Sequence, residues 1–387
     1  MDKRTYLDHA ATTKMRKEVL EAMIPYLTDV YGNASSLHEE GRKAKEAVEK
    51  ARGQLAGLIG AKPEEIYFTS GGTESDNMAL KATGVLSKKK HLITSAIEHH
   101  AVLYTAKTME RAGYQLTVLP VDKQGRIDPD SVKKAITGDT YLVSIMLANN
   151  EIGTIQPIQE ISHITKEAGI LLHTDAVQVV GNMPVDVTVL GCDMMSLSAH
   201  KFYGPKGVGA IYVKKGTPIV ALMDGGEHEH GKRSGTYHTA GIVGLGKAAE
   251  LAYQELPHRV KYVTSLREQL IDGIINQVPH VFLNGSPTSR LPGNVHFSIQ
   301  YVEGESLLFR LDDEGFAVST GSACSSNSLK LSHVLDAIGL DAVDAQGSIR
   351  LSLGSDNTKE EVERFLSVFP RIVQELRDIS PLYKKGM

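Results

Sequence analysis

The sequence of 387 residues predicts an α/β fold, a mostly parallel sheet flanked by helices, followed by a smaller α+β part. Three observations predict it. From about residue 65, short apolar runs alternate with longer amphipathic ones. Polar clusters follow several of the apolar runs. After about residue 240 the alternation stops, and one long helical pattern gives way to shorter strands.

Taken in order, "EIYFTS" reads as a strand and "TESDNMALKATGVL" as a helix. "HLITS" is a strand, and "HAVLYTAKTMERAG" a helix ending at Gly113. "YLVSIML" is a strand, "IQEISHITKEAG" a helix and "ILLHTDA" a strand; "DMMSLSA" and "VGAIYV" are two more strands. A long helical stretch covers "GIVGLGKAAELAYQELPHRVKYVTSLREQLIDGIINQV". "NVHFSI" and "AVSTGSACSS" read as strand regions, and a last helix starts near Lys359. In parallel sheets ligands bind beyond the carboxyl ends of the strands. The clusters at those ends are Ser70-Gly71-Gly72-Thr73, Glu98-His99, Asn149-Asn150, Asp175 and His200-Lys201.

Composition excludes several classes. A net charge of -4 offers no basic field for nucleic acid. The 2 cysteines, Cys192 and Cys324, make no disulfide framework and suit a reducing compartment. "MDKRTYLDHAATT" has no apolar signal core, and no apolar run approaches membrane-spanning length. A soluble, cytoplasmic protein is expected, without membrane or direct nucleic-acid contact.

Each cluster carries two readings. In "TSGGTESDN", glycines at a strand-to-helix junction suit a phosphate cradle, or Thr73 simply caps a helix. Asp175 either caps the next segment or pairs with a cationic ring nitrogen. Pyridoxal phosphate needs such an Asp, an amine such as Lys201 and a phosphate cradle. Ser198, His200 and the Gly72-Thr73 turn offer phosphate donors. His99 and His100 begin a helix, or one ring stacks on a flat cofactor. "GIVGLGKA" has Walker-like spacing, but Ala248 stands where a hydroxyl would hold magnesium, so a packed helix is favoured. His228 and His230 lack the spacing of a zinc site, and no metal is expected. The glycine-flanked loop with Arg233 and Thr236 suits anion contact better. Cys324 lies in a Gly/Ala/Ser setting and reads as a nucleophile, whereas Cys192 reads as a buried thiol. Arg350, within "SIRLSLG", reads as an ion-pair partner or as a clamp on a substrate carboxylate.

Together the motifs "YLDHAATT", "YGNASSLH", "TSGGTESDN", "NNEIG", "HTDAVQ", "SAHKFYGPKGVG", "GKRSGT", "GSACSS" and "SIRLSLG" span nearly the whole chain. In them the chain resembles the cysteine desulfurases of the NifS/IscS kind, group I, within the class V, fold-type I pyridoxal-phosphate enzymes. The resemblance implies a large cofactor domain over 16–256, and a small domain of 1–15 and 257–387 carrying the cysteine loop. It implies Lys201 as the Schiff-base lysine, with Gly72, Thr73, Ser198 and His200 on the phosphate. Thr236 would reach the neighbouring subunit's phosphate, which implies a homodimer. Asp175 would meet the pyridine nitrogen, Gln178 the ring oxygen and His99 the ring face, His99 also assisting proton movement. Asn150 and Arg350 would hold L-cysteine. Cys324 would take its sulfur as a persulfide, for a sulfur-acceptor protein in iron–sulfur cluster, thio-cofactor or tRNA synthesis. Glu227 replaces a usual glycine, Tyr237-His238 a commoner continuation and Ala34 a usual proline. These departures lie in the inter-subunit loop and at the rim. Selenocysteine lyase is the nearest competing activity. A nucleotide-binding protein and a non-catalytic sulfur relay are the competitors from other classes.

Overall fold

The computed structural model describes residues 4–320 and 332–383. Seven strands form the central sheet: β2 (Ile66–Thr69), β3 (His91–Ser95), β4 (Gln115–Leu119), β5 (Thr140–Ser144), β6 (Leu171–Asp175), β7 (Met194–Ser198) and β8 (Gly209–Val213). β1 (Thr5–Tyr6) precedes them. β9 (Val281–Leu283), β10 (Asn294–Ile299), β11 (Phe316–Ala317) and β12 (Ser348–Ser352) follow. The central order is β2-β8-β7-β6-β5-β3-β4. β8 runs against both neighbours, and the others run one way. The carboxyl ends of β2, β3, β5, β6 and β7 therefore share one edge, as the strand alternation requires.

Alternation of side chains sorts the sheet into two apolar layers. Ile93, Val143, Leu172, Met195 and Ala210 enter one core, with Leu55, Ile161 and Leu245 from covering helices. Their sequence neighbours Leu92, Leu142, Met194 and Ile211 enter the other, against Val102, Ala106 and Met109 of the His100–Arg111 helix. Burying each such side chain contributes about 1.5–3 kcal/mol. The sequence reading singled out neither β4 nor the Glu39–Ile59 helix. β4 is an edge strand with half-exposed positions, so its apolar run is weak. The helix lies before the alternating region and ends at Gly60, whose φ is 69°.

The Thr239–Gln277 helix runs past both halves of the molecule and contains Pro257. Ala240 to Ala252 pack under the large sheet. Val263, Leu266, Leu270 and Ile274 pack with β10, β12 and the Lys359–Ile379 helix in a separate core. A Cβ on Gly246 would stand 2.5 Å from Ala51 Cα, so these glycines allow close helix packing. The packed-helix reading of "GIVGLGKA" holds. Of "AVSTGSACSS", only Ala317 belongs to a strand among the described residues, as the last residue of β11; residues 321–331 lie outside them.

Candidate active site

A short turn, Ala199–Lys201, follows β7 and delivers Lys201 to the shared edge. Its Nζ donates to Ala10 O at 2.5 Å and to Ala11 O at 2.9 Å. Gln178 Nε2 donates to Ala10 O at 3.0 Å. His200 Nδ1 lies 3.1 Å from Thr12 Oγ1, and Thr13 donates its hydroxyl to His200 O at 2.9 Å. The N-terminal segment is thus a wall of the site. The sequence reading quoted "YLDHAATT" as a motif but gave none of these residues a role.

Asp175 ends β6 with its carboxyl buried; Oδ1 accepts the Val177 N–H at 2.9 Å. Burial pushes its pKa up, opposed by that hydrogen bond and by the Lys201 charge. Beneath it lie groups the sequence did not mark. His173 Nδ1 is 2.8 Å from Ser144 Oγ, and its Nε2 is 2.9 Å from Ser196 Oγ and 3.7 Å from Asp76 Oδ1. Burial lowers His173 to about 3, so it is neutral. Asp76 is raised by burial and then by the charge of Asp175.

Glu98 is also buried. Its Oε1 accepts from the Ser95 hydroxyl at 2.5 Å and the Met146 N–H at 3.0 Å. Burial raises its pKa from 4.5 to about 8, against those two bonds and with a further push from Asp175. Between these values the folded chain keeps a proton that the unfolded chain has lost, so stability falls as pH rises through the window. Glu98→Gln should keep both accepted bonds and flatten that fall. Thermal midpoints of both proteins across the window test this; equal slopes would count against a protonated Glu98.

His99 caps the His100–Arg111 helix, its Nδ1 accepting the Ala101 N–H at 3.1 Å. The ring proton therefore sits on Nε2. Burial, then the charges of Lys201 and His100, lower its pKa to about 4. His99 is a neutral ring with one free donor, and its remaining lone pair is committed to the cap.

At the end of β2, Gly71 has φ 153° and caps the helix that opens at Gly72, so Thr73 is not the cap. A Cβ on Gly71 would stand 3.6 Å from Ser198 Oγ. The first N–H groups of a helix lack intrahelical partners, so Gly72 and Thr73 present donors beside that hydroxyl. His200 is lowered to about 4 by burial, then by Lys201 and Lys206, and is neutral. Arg233 meets a carboxylate of this same chain. Its Nε donates to Glu74 Oε1 at 2.8 Å, tying its loop to the end of β2. Thr236 of the same loop is exposed.

Arg350 lies on β12, 3% exposed. Its Nη2 donates to Asp8 Oδ1 at 2.8 Å and its Nη1 to Asn150 O at 3.1 Å. The ion-pair reading is realised, by an acid the sequence did not identify, and Asn150 is drawn into the same contact. Cys324 lies outside the described residues. The chain on either side of its segment is fixed at this rim. Arg350 N donates to Ser319 O at 2.7 Å, Ser332 Oγ donates to Glu151 Oε2 at 2.5 Å, and His333 Nε2 lies 2.9 Å from Glu98 O. Cys192 is buried, its pKa raised to about 12 chiefly by burial.

Asp175 decides whether these residues fit pyridoxal phosphate. A buried carboxyl needs a cationic or donor partner to stay ionised. A protonated ring nitrogen supplies one, Lys201 stands on the same edge, and the uncovered donors near Ser198 suit a phosphate. The residues fit the group.

Comparison with known proteins agrees. The aminotransferase class-V model matches residues 5–365. The chain is similar to a curated cysteine desulfurase IscS of Dictyoglomus turgidum, 55% identical over 100% of this chain and 98% of that protein. It is 53% identical to that of Methanosarcina thermophila, over 99% of this chain and 95% of the relative. Among solved structures, a NifS-like protein aligns with TM-score 0.91 and 41% identity, covering 96% of this chain and 100% of the other. SspA in complex with cysteine aligns with TM-score 0.81 and 38% identity, covering 91% and 99%. Among the described residues no helix is long and apolar enough to cross a membrane.

Proposed function

The chain belongs to the class-V aminotransferase family, and on that premise we propose how its residues divide the work. It is a pyridoxal-phosphate-dependent cysteine desulfurase, acting on L-cysteine. The observation that carries the site assignment is Lys201 on the same sheet edge as buried Asp175. When bound, the cofactor supplies a carbonyl for the substrate amine and an electron sink for its α-carbon. Lys201 anchors it and moves protons to and from the substrate at Nζ. Asp175 meets the ring nitrogen, Gln178 the ring oxygen, and His99 the ring face with its Nε2–H as a neutral donor. Gly72, Thr73, Ser198 and His200 hold the phosphate. Thr236 reaches the phosphate of a second copy, which makes the working form a homodimer.

Asn150 and Arg350 orient the substrate carboxylate. Cys324 accepts the sulfur atom as a persulfide, alanine leaves after a proton returns to carbon, and an acceptor protein takes the sulfur onward. We place the domain boundary in the long helix at Pro257, giving 16–256 against 1–15 with 257–387; the change of core along that helix supports it. The cytoplasm is the proposed location.

The test of the function is the visible spectrum of the purified protein before and after L-cysteine, with alanine measured in the same sample. A cofactor band that changes as alanine appears is expected. A colourless protein that takes up no cofactor would overturn the reading. Arg350→Ala should raise KM for cysteine more than it lowers kcat, because the carboxylate is held in ground and transition states alike. A desolvated charge pair of this kind corresponds to roughly 30-fold or more in KM. An unchanged KM would leave Arg350 as Asp8's structural partner only.

A further inference from the structure

A second cleft opens where the N-terminal segment, the Thr239–Gln277 helix and the residues after β12 meet. It encloses about 560 Å³, open solvent included. It shares Gln178, Lys201 and the wall residues Ala10 and Thr13 with the site above. Three side chains line it with polar atoms sealed from solvent and no hydrogen-bond partner among the described residues. They are Arg259 (Nε and Nη2), His9 (Nδ1) and Ser355 (Oγ). Arg259 is 8% exposed and His9 9%.

A buried guanidinium with two idle nitrogens is costly unless an anion meets it. Besides burial, Arg259 feels the Tyr203 phenol first and then Glu255, and Glu255 is already gripped by Arg16 at 3.1 and 3.3 Å. Asp8, beside His9, is engaged by Arg350, and Asp356 is exposed. The walls are shaped around these groups. The Arg259 guanidinium carbon lies 5.5 Å from the Tyr203 ring centroid, and the Tyr203 hydroxyl accepts the Ser355 N–H at 2.7 Å. Tyr203 holds φ at 69°, a region that non-glycine residues rarely occupy. A Cβ on Gly354 would fall 2.5 Å from the His9 ring and 2.6 Å from the Tyr203 hydroxyl, so only glycine lets the three close up.

We propose that this cleft binds a small oxyanion, with Arg259, His9 and Ser355 as its donors. The same donors suit a tetrahedral inorganic anion and a free carboxylate. The three come from separate parts of the chain, so the bound anion ties them together.

Calorimetric titration of the holoenzyme tests this, since the cofactor then fills its own phosphate cradle. Sodium phosphate and sodium acetate are titrated separately, against sodium chloride of equal ionic strength. Saturable binding of at least one anion, one per chain, is expected; which of the two binds identifies a tetrahedral or a carboxylate ligand. Arg259→Gln should weaken it at least ~10-fold, and Ser355→Ala less, with the cofactor spectrum unchanged. Should Arg259→Gln fail to fold, Arg259→Lys and Ser355→Ala decide by the same loss of affinity. No saturable heat with either anion, or unchanged affinity in the variants, overturns the proposal.

Discussion

Lys201→Ala is expected to abolish alanine release from L-cysteine while the chain still folds. A positioned proton-transfer group contributes about 10²–10⁴-fold on its own, and this lysine is also the proposed anchor for the cofactor. Its amine donates to two backbone carbonyls, Ala10 O and Ala11 O. Its backbone carbonyl separately accepts from Asn182 Nδ2 at 3.1 Å and keeps the turn in place without the amine. The variant should therefore show native circular dichroism, no turnover, and no cofactor fixed to the chain by borohydride. A variant that keeps both the fixed cofactor and wild-type turnover would move the anchor to another amine.

Cys324→Ser should separate cofactor chemistry from sulfur transfer. Lys201, Asp175 and the donors near Ser198 do not need the thiol, so the variant should stay coloured and respond spectrally to L-cysteine. A serine hydroxyl is a weak nucleophile toward sulfur, and alanine release should fall to the level of the apoprotein. Cys192 offers no rescue, being buried and kept as a thiol by a pKa near 12. The decisive measurement is alanine release with cofactor occupancy checked in the same sample. Near-normal release from a loaded variant would end the persulfide assignment and favour a lyase that expels its product without a cysteine.

What the sequence made legible depends on the range of the signal. Strand and helix periods are local, so β2, β3, β5, β6 and β7 and their polar ends were readable, and Asp175, His99 and Lys201 with them. The partners of those residues were not. Asp8 and Arg350 are 342 residues apart, and Lys201 and Ala11 are 190 apart. No period or spacing records such a contact. Arg233 shows the same limit: that its loop suits anion contact is legible locally, but that Glu74, 159 residues away, meets its guanidinium is not. Glu98 sat inside a quoted cluster, but its protonation depends on burial, which one strand cannot reveal.

The wall built by "DHAATT" also sets a timetable. Leu7 pairs through its backbone with Ala317 and Ser352, and Ala10 N donates to Ser352 Oγ across 342 residues. A ribosome adding about 5–20 residues per second needs roughly 20–70 s to make that stretch. Throughout, the early segment has been synthesised but its seat has not. The central sheet and the half of the long helix packed under it can form in the meantime, since those contacts lie within residues already made. The carbonyls that hold Lys201 are tied to Gln178 and, through Thr13, to His200 within the early chain, and gain their second anchor only when β11 and β12 arrive. A nascent chain stopped short of β12 would carry the lysine, the buried acid and the cradle, yet hold the segment that joins them from one side only. Completion of the catalytic centre is thereby tied to translation through β12.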